Sequence, residues 1–135
     1  MAFAWNNDLA TGIADIDDQH KELFSRINNL LQACALHKDR VQIDGVLIYL
    51  RDYVAFHFAA EERDMTGYGY PEMPVHLDEH KEFQQTIQHL LEQFREQGAT
   101  LDVVEKTVWS AGEWFLKHIY KSDMKLAAFL KRAKS

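Results

Sequence analysis

Cysteine is almost missing from this chain. Cys34 is the only one among 135 residues, which excludes an intrachain disulfide and suits the cytoplasm. Proline is nearly as scarce, with Pro71 and Pro74 alone, and the six glycines cluster at a few points. Few breakers mean long uninterrupted elements. There is no excess of basic residues. The net charge of −6 argues against nucleic acid as a partner, because phosphate recognition shows as a basic surplus. No apolar run approaches the ~20 residues that span a bilayer, so membrane insertion is not expected. The opening MAFAWNNDLATG has neither the basic start nor the apolar stretch of a signal peptide. Period-two alternation and internal repeats are also missing, which leaves no case for strands or a solenoid. One domain is the default at this length.

What the chain does contain is apolar surface arranged at helical spacing. Leu23, Phe24, Ile27, Leu30, Leu31 and Cys34 follow His20 along one stripe, predicting a helix over about 17–38 with Asp17 or Asp18 as its cap. Ile43, Leu47, Leu50 and Val54 define a second over about 42–65, stopped by Gly67, Gly69, Pro71 and Pro74. His76, His80, Phe83, Ile87, Leu90, Leu91 and Phe94 define a third over about 74–97, with Gly98 at its end. Val104, Val108, Ala111, Phe115 and His118 define a fourth over about 101–120, capped by Thr100. A short helix over about 123–132 closes the chain. The expected fold is all-α: an antiparallel up-down four-helix bundle, crossed by an N-terminal arm over 1–16 that Phe3 and Trp5 anchor.

The stripes carry the wrong residues for an ordinary core. The second continues from Val54 onto His57, Glu61 and Met65, and a buried carboxylate is costly unless its charge is compensated. Each helix repeats the feature. The first gives His20, the second His57 with Glu61, the third His76 with His80, and the fourth His118, followed by Asp123. Residues four apart share a helix face, so the pairs can reach one centre. A lone buried histidine is usually a satisfied core residue, but five on inward stripes of four helices are not explained that way. Imidazole with carboxylate suits divalent transition metals. Seven ligands exceed one ion but suit two, which typically sit about 3.5–4 Å apart. His37, near a helix end, and His89, off its stripe, are expected to face water. One spacing resists: His118 and Asp123 are five apart, about 140° of rotation on a regular helix. Both face one centre only if the helix widens or stops near Tyr120 to Asp123.

Trp5, GIADIDDQHKELF, HFAAEE, GYPEMPVHLDEHKEF and EWFLKHIYKSD together resemble the hemerythrin family in its single-domain bacterial form, over nearly the whole chain. The resemblance implies two iron ions. His76, His80 and His118 would hold one. His20 and His57 would hold the other, with an open position. Glu61, Asp123 and an oxo or hydroxo group would bridge them. It implies reversible dioxygen binding as a carrier or store, not an enzyme, with Phe58, Trp114, Phe115 and Ile119 walling the ligand pocket. Relatives often carry an aliphatic residue where Phe115 stands, so the ring is expected to narrow the route to the iron. A monomer serving an oxygen-consuming protein partner fits this reading. The alternatives are an oxygen or redox sensor, which would need a separate signalling partner, and a weak oxidase or peroxidase. The ligand ratio separates these: ferritin-like di-iron proteins use mostly carboxylates with Glu-x-x-His pairs, whereas here neutral imidazoles dominate.

Overall fold

The computed structural model describes residues 3–134. Five α-helices carry the chain: α1 (Ala14–Ala35), α2 (Arg40–Tyr68), α3 (Met73–Glu96), α4 (Leu101–His118) and α5 (Met124–Lys134). A short 3-10 turn, Asn7–Leu9, precedes them, and a five-residue π-turn, Ile119–Asp123, joins α4 to α5. α1 packs on α2 and α4, α2 on α3, and α3 on α4. This closes an up-down four-helix bundle whose core is built from the four stripes, with Leu23, Ile27, Leu47, Leu50, Ile87 and Val108 fully buried. No helix among the described residues is long and apolar enough to cross a membrane.

α4 starts at Leu101, as the sequence predicts, and the other helix boundaries depart a little from expectation. α1 starts at Ala14, not Asp17, because Asp17 is not a cap. Its carboxylate reaches back and accepts from the Thr11 N–H and the Thr11 hydroxyl, both at 2.8 Å, tying the arm to the helix. α1 ends at Ala35 rather than Lys38, because His37 turns left-handed (φ 53°) and the Lys38 N–H closes on the Ala33 carbonyl. α2 starts two residues early, at Arg40, because Asp39 accepts from the Gln42 N–H at 2.8 Å. It also runs three residues past Met65. Gly67 costs a helix only about 1 kcal/mol, and the stop falls at Gly69, whose φ of 68° favours glycine. α3 begins at Met73 with Pro74 in its first turn, where a missing N–H is no loss, and ends at Glu96, one residue short of the expected end. α4 ends at His118, two residues early, and α5 runs over Met124–Lys134 instead of 123–132.

The helical extension past Met65 and the α5 helix meet in a second, smaller core of Ile16, Met65, Tyr70, Leu126 and Leu130. The arm packs against α1 and α4 at Phe3 and reaches this second core at Ile13. Phe3 is buried, held by paired bonds between its backbone and the Asn28 amide. Its ring occupies the space a Cβ would need at Gly112. Trp5 is half-buried, with the Lys21 ammonium 4.4 Å from its ring centre. Met1 and Ala2 lie outside the described residues.

Candidate metal centre

Helical period delivers the inner side chains. His57 and Glu61 lie one turn apart on α2, as do His76 and His80 on α3, and His20 faces them from α1. His118 ends α4, and Asp123 ends the π-turn that follows. The turn adds about one residue to the local repeat, which removes the misalignment expected for a spacing of five. His118 Nε2 and Asp123 Oδ1 come to 3.0 Å. All seven side chains are buried, none more than 3% exposed.

They form two overlapping groups. One ligand atom each from Glu61, His76, His80, His118 and Asp123 lies within 4.8 Å of the others, and the same holds for His20, His57, Glu61 and Asp123. The carboxylates belong to both groups and divide their oxygens between them. Glu61 Oε1 lies 3.0 Å from His80 Nε2 and 3.3 Å from His76 Nε2, while Oε2 lies 3.2 Å from His57 Nε2. Asp123 Oδ1 lies 3.1 Å from His76 Nε2, and Oδ2 lies 2.9 Å from His20 Nε2.

Whether this cluster suits metal is decided by its unmatched atoms. Among the described residues, His20 Nε2, His57 Nε2, His118 Nε2, Glu61 Oε2 and both Asp123 oxygens are buried without a hydrogen-bond partner. They are close, yet they point into shared space instead of at one another. Buried polar atoms are normally paired, and six orphans converging between four helices fit cations. Electrostatics agrees. Burial alone would push His20 and His76 down, but the adjoining Asp123 and Glu61 carboxylates raise each to about 9. His118 is raised in the same way, against burial, chiefly by Asp123. Burial would raise Glu61, and the surrounding imidazoles, His57 first, hold it well below the usual carboxylate range instead. Asp123 is lowered likewise, against burial and the Glu61 charge, by His118 and His20. A cluster that gathers imidazoles this closely around two carboxylates is one where cations can take the protons' place.

An outer layer orients the rings. His57 Nδ1–H donates to Gln19 Oε1 at 2.7 Å, His80 Nδ1–H to Glu62 Oε2 at 2.9 Å, and His118 Nδ1–H to Glu79 Oε1 at 2.7 Å. Each bond leaves the Nε2 lone pair aimed inward. Reasoning from the sequence missed Gln19, Glu62, Glu79 and Ser122. A signal was present, since the three partners each adjoin an inner residue in the chain (His20, Glu61 and His80). Each nonetheless serves a ring on a different helix, which spacing along one helix does not reveal.

Aromatic rings lie against the clustered histidines. Phe58 lies flat on His80, with ring centres 3.8 Å apart and planes 4° apart. Trp114, half-buried, stacks on His118 at 5.1 Å. Phe115 is fully buried and meets His20 edge-on at 5.4 Å and His57 at 6.4 Å. Ile119 is fully buried at the start of the π-turn. His37 and His89 are exposed, away from the cluster.

Residues 11–130 match the family model of the hemerythrin HHE cation binding domain. The chain is 32% identical to a bacteriohemerythrin of Methylococcus capsulatus, over 86% of each chain. It is 34% identical to a bacteriohemerythrin of Pseudomonas aeruginosa, over 88% of this chain and 75% of that one. A crystal structure of wild-type hemerythrin superposes with a TM-score of 0.89 at 30% identity, covering 96% of this chain and 98% of that one.

Proposed function

Because the chain belongs to the hemerythrin family, we propose that it binds dioxygen reversibly at a non-haem di-iron centre, as an oxygen carrier or store. The observation that carries this is the division of the two shared carboxylates: Glu61 turns Oε1 to His76 and His80 and Oε2 to His57, and Asp123 turns Oδ1 to His76 and His118 and Oδ2 to His20. In this reading His76, His80 and His118 hold one ion, and His20 and His57 hold the other. Glu61, Asp123 and an oxo or hydroxo group would bridge them, and a bound ferrous pair would supply the electrons for reversible dioxygen binding.

The protein's own part is to keep that exchange reversible. Five neutral imidazoles against two carboxylates limit the anionic charge that would favour deeper oxygen reduction. Gln19, Glu62 and Glu79 hold protons on the outer nitrogens, so that the inner ones stay available as ligands. Phe58, Phe115 and Ile119, all fully buried, exclude water from the cavity. Phe115 stands beside the two-histidine side, where the open position belongs in this assignment, and restrains traffic to it.

The test is anaerobic reconstitution with ferrous iron followed by oxygenation. Two irons per chain are expected, with an oxygen-dependent absorption band that disappears under vacuum and returns on re-exposure. Saturation at one ion, or repeated turnover with a co-substrate in place of a reversible adduct, would overturn the proposal.

A further inference from the structure

We propose that Glu79, which lies outside the seven inner residues, is the positioning residue for both ligands at the end of the fourth helix. It holds the π-turn shut and so presents His118 and Asp123 to the same centre. The inference rests on the di-metal reading above.

A π-turn is a poor local choice, because its hydrogen bonds are strained relative to the α-helix, and such turns persist where tertiary contacts hold them. Here the turn spans Ile119–Asp123, and a single oxygen grips both its ends. Glu79 Oε1 accepts from His118 Nδ1–H at 2.7 Å, immediately before the turn, and from the Ser122 hydroxyl at 2.6 Å, one residue before Asp123. The first bond sets the tautomer and ring plane of His118. The second fixes the backbone that aims Asp123.

The other outer partners have narrower duties. Glu62 holds His80, and Gln19 holds His57, rings carried on regular helix. Glu79 reaches a non-ligand hydroxyl as well and spans the π-turn.

The experiment compares wild type with Glu79→Ala, Glu79→Gln, Ser122→Ala and Glu62→Ala, using Co(II) alone as the metal probe. Far-UV circular dichroism of the metal-free chains shows that each variant keeps its bundle. Two readouts are taken: the affinity and visible spectrum of bound cobalt, and amide hydrogen exchange at residues 119–123 in the metal-free protein. Glu79→Ala is expected to weaken cobalt binding roughly 10–100-fold, the usual loss for an outer-shell partner, and to alter the spectrum. Exchange in the turn is expected to quicken by about tenfold or more as the bonds to His118 and Ser122 go. Ser122→Ala is expected to quicken exchange with a smaller loss of affinity. Glu79→Gln, which keeps an acceptor oxygen, is expected to recover part of both. Glu62→Ala is expected to weaken binding and leave exchange in the turn unchanged. Wild-type exchange at 119–123 in Glu79→Ala would overturn the proposal, as would the same exchange profile in Glu62→Ala. A wild-type chain that takes up fewer than two cobalt ions would instead overturn the di-metal reading, and the exchange data would still decide the role of Glu79.

Discussion

The two halves of the cluster share their carboxylates but differ in what holds them. On the three-histidine side, His80 and His118 are held from outside by the carboxylates of Glu62 and Glu79. Phe58 and Trp114 lie flat against the same two rings. On the two-histidine side, His57 has a neutral partner, the Gln19 amide, and His20 Nδ1 is buried without a partner among the described residues. The ring beside these two, Phe115, meets both edge-on. Anionic outer partners make an imidazole a stronger donor and fix its direction, so the first half is built to grip. The second half offers fewer histidines with lighter support. On the proposed di-metal reading, one small site would thus pair a tightly held position with one free to exchange a ligand, by varying the layer behind identical residue types.

The largest change expected is removal of what the halves share. Glu61→Ala and Asp123→Ala should each lose metal from both, and metal analysis with thermal unfolding would show no retained ion and no rise in Tm on loading. Two ions retained by either variant would contradict the division of oxygens described above. In the wild type, ions that bind only the folded chain should stabilise it by about 2.7 kcal/mol at a hundredfold excess over Kd, roughly 10 °C in Tm for a domain of this size. Identical melting of metal-free and loaded protein would count against a buried site.

The next perturbation separates the halves. His57→Ala should keep one ion per chain in the three-histidine group, whereas His118→Ala should weaken binding in that group as well. Both should lose the oxygen-dependent spectrum, and His37→Ala and His89→Ala should keep it. Equal metal content in the first two would erase the asymmetry. Phe115→Ala should leave the metal in place yet speed both oxygen release and conversion to the ferric form, measured by stopped flow and by the slow spectral decay. Losing this buried ring should also lower stability by about 3–5 kcal/mol. If both rates stay at wild-type values, Phe115 is core packing and nothing more. Gln19→Ala should have the smallest effect, about tenfold weaker binding confined to the two-histidine side, detectable as a selective shift of the weaker step in a metal titration.

Much of this was legible before any coordinates. The inward stripes placed His20, His57, Glu61, His76, His80 and His118 on buried faces, because an α-helix repeats every 3.6 residues whatever surrounds it. The spacing of five between His118 and Asp123 also announced an irregular turn, since two buried residues out of phase demand one. The ends of helices were less readable. Asp17 looked like a cap and proved to be a tie to Thr11, and Gly67 looked like a stop and sits inside α2. In both cases a residue with a strong local preference was overruled by contacts from elsewhere in the chain. For α2, these are the packing of Met65 and Tyr70 against Ile16, Leu126 and Leu130.

The sequence by itself determined the kinds of atoms at the centre and the helix faces that carry them, because residue identity and helical period are local properties. Tertiary structure decided which oxygen of Glu61 faces which histidine, and that Gln19, Glu62 and Glu79 each serve a ring on a neighbouring helix. It also decided that one carboxylate oxygen grips both ends of the turn before Asp123. Those choices depend on the rotation and approach of one helix against another. That geometry is set by the packing of all four stripes together, and no single stretch of chain contains it.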